Sequence, residues 1–183
     1  MPKIIKKPKE TILRIAKFHL MDQGIETLNM RAIAKDAEIS VGTLYNYFPN
    51  KDYIVIALMT GFWEDFLKAT DDLSESQEDG WKTLRQMYTL LSDTLQVFRL
   101  EWLSGQGFQS DEAKEEGRRL HLAYRRRLMF AIERQFEKLK INQTDFDLEE
   151  LSQFVFSNWL GMLSHSGLEY EVFERLIKKM IEE

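Results

Sequence analysis

Cysteine is absent from the 183-residue chain. Disulfides, thiolate metal ligands and thiolate nucleophiles are therefore excluded, and a reducing, cytoplasmic setting suits the sequence. Glycine and proline are scarce, at nine and three residues, and two of the prolines (Pro2 and Pro8) sit at the very start. So few helix breakers over this length predict a mostly helical protein. No apolar run approaches the roughly 18 residues that a membrane span needs. Lys3, Lys6 and Lys7 are not followed by the apolar stretch of a signal peptide. The three histidines, His19, His121 and His165, lie far apart without metal-ligand spacing, and neither a glycine-rich phosphate loop nor a Glu-x-x-His motif occurs. Carboxylate pairs such as Asp71-Asp72 fall in a polar, solvated stretch. These absences point away from an enzyme, a cofactor and a metal centre.

What is present is enough apolar material for a core, 44% of residues, with 30% charged residues to cover it. The length suits one sizeable domain, or a small head on a larger body. Charge is unevenly spread. Residues 1–51 hold nine Lys/Arg against five acids, a balance of +4, so a net charge of −5 leaves −9 for the rest. A basic head on an acidic body suits a protein whose head alone meets a polyanion; a lysine-rich tail gives the same count.

Apolar periodicity predicts a first helix from Lys9 to Gln23, with Ile12, Ile15, Ala16, His19 and Leu20 on one face and Gly24 as its stop. A short helix follows from Met30 to Ala37 behind an Asn29 cap, then a tight turn at Glu38-Ile39. Ser40 caps a third helix over Val41 to Phe48, and Asn50 a fourth over Lys51 to Ala69. Thr70 to Gly80 reads as a polar surface connection. Further helices are expected over Trp81–Leu103, over Asp111–Leu139 behind a Ser110 cap, over Asp147–His165 behind an Asp147/Glu150 capping box, and over Glu169–Ile181.

Two short helices joined by a tight turn form a helix-turn-helix, in which the second helix offers small and polar side chains to base edges. Its N-terminal end here reads Ser40, Val41, Gly42, Thr43, then Tyr45, Asn46 and Tyr47. Gly42 lets backbone approach DNA, the Thr43 and Tyr45 hydroxyls can bond phosphates, and Lys51 can pair with one. Leu44 and Phe48, four apart, face inward. The same pattern is compatible with a plain three-helix core.

The segment from Met30 to Asp52 closely resembles the N-terminal signature of the TetR family of transcriptional regulators, with Arg31, Ile33-Ala34, Ala37, Ser40, Gly42-Thr43-Leu44-Tyr45, Tyr47-Phe48 and Lys51 at the matching places. The resemblance covers residues 9–60. It implies an all-α fold: a three-helix DNA-binding head over residues 1–50 and a helical ligand-binding and dimerisation body over 51–183. It implies that Arg31 lies at the groove edge, that Ser40, Val41, Gly42, Thr43 and Asn46 face DNA, and that Tyr45, Tyr47 and Lys51 clamp phosphates. Val41 and Asn46 stand at variable positions and are the candidates for selectivity. Glu38 departs from the family's usual glycine; a left-handed backbone there would cost on the order of 1–2 kcal/mol.

The resemblance further implies a homodimer on a near-palindromic DNA operator, built on the last two helices, with Phe154, Trp159, Met162, Phe173 and Ile177 in the subunit contact. It also implies a small-molecule effector. Trp63, Phe66, Tyr88, Phe98, Trp102, Tyr124 and Trp159 offer the aromatic surface for an apolar ligand, with Met87, Leu91 and Phe130 beside them, although each also suits an ordinary core. His121 and His165 can bond a ligand's polar end. Arg118, Arg119, Arg125, Arg126 and Arg127 form a basic run that is either a solvated face or an anion site.

Overall fold

A computed structural model describes residues 7–76, 78–97, 107–141, 147–164 and 167–182. Among these the protein is all-α, with α1 (Pro8–Gln23), α2 (Met30–Asp36), α3 (Val41–Tyr47), α4 (Lys51–Glu75), α5 (Gly80–Val97), α6 (Asp111–Lys138), α7 (Leu148–Ser164) and α8 (Tyr170–Glu182). No described helix is long and apolar enough to cross a membrane. Phe98, Trp102 and His165 lie outside the described residues, as does the C-terminal end of the helix expected to reach Leu103.

Helix ends follow local chemistry. Pro8 opens α1, where its missing N–H costs nothing. Gly24 ends it at φ +81°, with its N–H donating to the Leu20 carbonyl. The Asn29 side chain accepts from the Arg31 and Ala32 N–H groups, and Ser40 Oγ from Thr43 N–H. Asn50 accepts from Tyr53 N–H, and Ser110 from Ala113 N–H. Asp147 and Glu150 exchange both bonds of the capping box, at 3.2 and 2.7 Å.

Glu38 has φ +55°. The Glu38 N–H donates to the Lys35 carbonyl and the Ile39 N–H to the Ala34 carbonyl, both at 3.0 Å. This is the Schellman end of α2, and its left-handed position favours glycine because a Cβ crowds the carbonyl. Glu38→Gly is therefore expected to stabilise the protein by about 1 kcal/mol, a rise in Tm of roughly 3 °C in a thermal melt. An unchanged or lower Tm would show that contacts of the Glu38 side chain outweigh the strain. Lys140, at φ +55° beyond α6, closes the same motif.

The chain divides into two compact units, Met1–Phe62 with Gln96–His121, and Trp63–Leu95 with Leu122–Glu183. The first is built on α1–α3. Ile12, Ala16, Leu20, Ile33, Ala34, Leu44, Phe48, Ile54 and Val55 are buried in it, and His19 Nε2 meets Asp36 Oδ2 at 2.7 Å to tie α1 to α2. In the second unit Leu67, Met87, Leu91, Leu128, Ile132, Phe136, Leu151 and Trp159 have 2% exposure or less.

One segment departs from its expected form. Residues 70–75 continue α4 instead of making a surface connection. Thr70 and Ser74, one turn apart, are both fully buried. Gln135 Nε2 donates to Ser74 Oγ at 3.2 Å, and Lys138 Nζ donates to the Ser74 and Ser76 carbonyls, the orphan acceptors at the helix end. Ser74 turns inward here because α6 supplies its partners.

Candidate DNA-binding site

The site is the exposed face of α3. Leu44 is fully buried and Phe48 nearly so, and together they fix the helix to α1 and α2. Ser40 does two things at once: its oxygen caps Thr43 N–H at 3.0 Å and also lies 2.8 Å from Thr43 Oγ1. Thr43 is half-buried as a result, and its hydroxyl already has a protein partner in the free molecule. Val41, Tyr45 and Tyr47 stay exposed at 37, 46 and 42%, unusual values for residues of this size.

The expected contact residues fall on a common surface. Ser40, Val41, Gly42, Tyr45, Asn46 and Tyr47 are all exposed, and so is Arg31 in the first turn of α2. The side chains of Arg31, Asn46, Tyr45 and Tyr47 have no hydrogen-bond or ion-pair partner among the described residues. A Cβ placed on Gly42 would meet one atom within 4 Å, Ser40 Oγ at 3.8 Å. Nothing inside the fold therefore requires glycine at position 42. Lys51 is half-buried and donates from Nζ to the Glu26 carbonyl at 3.1 Å, which holds its ammonium at the start of α4.

The sequence reading missed Asp52. Its carboxylate is buried at 4% exposure, and Oδ2 accepts the N–H groups of both Gln109 and Ser110 at 3.0 Å. An acid in the first turn of a helix is legible as a favourable charge near the dipole. Partners 57 and 58 residues along the chain are not.

The residues expected around an effector are distributed as follows. Trp63 stacks on Tyr124 (centroids 5.3 Å, planes 16° apart) and meets Phe66 edge-on at 5.3 Å. Tyr88 packs against Trp159 at 5.8 Å and Tyr170 at 4.7 Å. Trp63, Phe66, Tyr124 and Trp159 are buried. His121 belongs to the other unit. Met87 and Leu91 are core, whereas Phe130 is 57% exposed. Burial raises the Tyr170 hydroxyl well above the usual tyrosine range, and the nearby Glu174 and Glu171 charges add to this, while Arg85 pulls the other way.

The basic run does not act as one site. Arg118 and Arg119 pair with Glu115 and Glu116 one turn back, Arg127 reaches Asp71 at 3.1 Å, and Arg125 donates to Gln153. Hydrogen bonding to Arg119 holds the Glu116 carboxyl below its ordinary range, partly offset by burial.

Of the residues expected between subunits, Trp159, Phe173 and Ile177 fill the core of their own unit. Tyr88 of α5 packs against Trp159 of α7 and Tyr170 of α8. Phe154 is 46% exposed and Met162 half-buried, so these two remain accessible.

Residues 12–58 match the model of the bacterial regulatory proteins of the tetR family. The HTH-type transcriptional repressor KstR of Mycolicibacterium smegmatis is 32% identical over 73 residues, 40% of this chain and 36% of that protein. The match thus spans about a third of that repressor's length. Among solved structures, a transcriptional regulator from Cytophaga hutchinsonii superposes with a TM-score of 0.67 at 17% identity, covering 97% of this chain and 94% of that one. FadR of Thermus thermophilus, a TetR-family repressor crystallised with lauroyl-CoA, superposes at 0.58 with 18% identity, covering 95% and 91%. At such identities the structures speak for the fold. The family model matches at the level of sequence, and its residues 12–58 include the α2–turn–α3 surface described above. The similarity to the tetR family is thus shown for residues 12–58, about a quarter of the chain.

Proposed function

We propose that the protein is a sequence-specific DNA-binding transcriptional regulator. It works in the cytoplasm as a homodimeric repressor on a near-palindromic operator and is released by a small-molecule effector. The observation that carries the DNA reading is the outer face of α3. Val41, Gly42 and Asn46 lie there on a helix locked by the Ser40 cap and the Leu44 and Phe48 plugs, with Tyr45, Tyr47 and Arg31 free alongside. In this reading Tyr45, Tyr47 and Lys51 hold phosphates and set the register, and Val41, Thr43 and Asn46 choose the bases. Thr43 must give up or share its bond with Ser40 to do so.

The effector reading rests on the body. Trp159 Nε1, Thr70 Oγ1, Gln86 Oε1 and Gln135 Oε1 are buried without a hydrogen-bond partner among the described residues. Each such group costs roughly 1–3 kcal/mol. A ligand that paired with one of them in a single conformation would bias the protein toward that conformation. The aromatic surroundings favour a ligand with a long apolar part, and lauroyl-CoA, the molecule bound to the Thermus thermophilus regulator, is a suitable first probe.

The test is selection of binding duplexes from a random library, followed by titration of the winner at several salt concentrations. A palindromic consensus is expected, and substitution of Asn46 should change the preferred bases. Tyr45→Ala and Lys51→Ala should weaken binding to every sequence alike, with Lys51→Ala also lowering the salt slope by roughly one because a cation is lost. Loss of all salt-sensitive, sequence-selective binding would point instead to a ligand-binding or protein-interaction module that no longer reads DNA.

A further inference from the structure

Successive residues of a helix turn by roughly 100°. With Leu44 and Phe48 of α3 facing inward, Gly42, Thr43 and Asn46 fall on the opposite side, and Val41 stands at the N-terminal edge. The N-terminal end of a reading helix is the end that reaches base edges. Here its side chains are poor in hydrogen bonds. Val41 has no polar atom and Gly42 has no side chain. The Thr43 hydroxyl is turned toward Ser40 Oγ at 2.8 Å, and the same oxygen caps the Thr43 N–H at 3.0 Å. The first side chain on that face without a hydrogen-bond partner among the described residues is the amide of Asn46, a turn further on.

Nothing inside the fold asks for valine at position 41. The residue is 37% exposed and so lies outside the core. Its branched side chain gains nothing over alanine in a helix. On DNA its effect depends on what it faces. The major groove presents hydrogen-bond donors and acceptors on every base pair, and one prominent apolar feature, the C5-methyl group of thymine. An isopropyl group laid over a donor or acceptor removes its water and returns no bond, which is unfavourable. Laid over a methyl group, it takes apolar surface of both partners out of water.

We propose that Val41 reads the 5-methyl group of a pyrimidine, supplied by thymine, in each half of the operator. The assignment rests on the DNA-binding reading given above and names what the first turn of α3 selects. Gly42 places no side chain between Val41 and the groove. Asn46 reads separately, by hydrogen bonding, one turn along. The two turns therefore select by different physics. A methyl contact releases no counterion, so its share of the affinity is independent of salt.

The test uses the full-length protein and the duplex selected from the random library. Each thymine of the site is replaced in turn by uracil, which lacks only the methyl group, at symmetric positions of the two halves. One such position is expected to lose about fourfold in affinity per half-site, roughly 15-fold for the pair, equally at low and high salt. In Val41→Ser, checked for folding by circular dichroism, the penalty at that position should shrink to less than about twofold. A second selection, from a library carrying 5-methylcytosine in place of cytosine, separates the two sources of the methyl group. Thymine is expected at that position, and enrichment of 5-methylcytosine instead would overturn the assignment to thymine. Equal affinity for thymine and uracil at every position would overturn the proposal while leaving the DNA reading intact. So would a uracil penalty that V41S leaves unchanged, because the methyl group would then meet another residue. Absence of any selected sequence would overturn the DNA reading itself.

Discussion

Gly42→Leu is expected to lower operator affinity on the order of 100-fold while leaving the protein at least as stable as before. The two halves of this outcome have separate causes. Inside the fold, a side chain at position 42 points into open space and meets only Ser40 Oγ at ordinary contact distance. Replacing glycine in a helix also removes backbone freedom from the unfolded chain, a gain of roughly 0.5–1 kcal/mol. At a DNA surface the same side chain would stand between α3 and the bases that Val41 and Asn46 are proposed to read. Losing one well-formed base contact on each of two heads suffices for the stated factor. Paired measurements of Tm and of operator binding separate the effects. If affinity held while Tm rose, α3 would not be the surface that meets DNA.

The largest loss of stability is expected at Asp52. Its carboxylate is buried and accepts two backbone N–H groups from the segment that leads into α6. Asp52→Ala would orphan both donors, at roughly 1–3 kcal/mol each, for a total of about 3 kcal/mol. Asp52→Asn keeps an acceptor oxygen in place and should cost about half as much. Denaturant unfolding gives the energies. Hydrogen exchange at the Gln109 and Ser110 amides gives the site, and both should accelerate in the alanine variant. A loss below about 0.5 kcal/mol would mean that water replaces the carboxylate and that the two bonds contribute little.

Much of this architecture was legible in local sequence because helix ends are local chemistry. Asn29, Ser40, Asn50, Ser110 and the Asp147/Glu150 pair all cap the helices that their spacing announces. Leu44 and Phe48 were separable from their exposed neighbours by the helical period alone. The failures concern partners distant in the chain. Ser74 reads as solvated until Gln135 and Lys138 supply the bonds to its hydroxyl and carbonyl. Asp52 reads as an ordinary first-turn acid. Trp159, Phe173 and Ile177, expected at a subunit contact, are buried within one subunit, and Tyr88 of α5 packs against Trp159. In the basic run, Arg118 and Arg119 pair with acids of their own helix, as a solvated face would, whereas Arg127 takes Asp71 of α4, a partner that local spacing does not show.

The aromatic clusters of the body bear on how the protein can be observed. Tryptophan occurs at positions 63, 81, 102 and 159, so residues 1–62, with all of α1, α2 and α3, contain none. Trp63 lies stacked on Tyr124, and Trp159 is sealed against Tyr88. Operator DNA docked on α3 would meet no tryptophan belonging to α1, α2 or α3. A change in tryptophan emission on adding DNA would then report from residues outside α1, α2 and α3, which gives the unlabelled protein an optical gauge of effects beyond the reading helix.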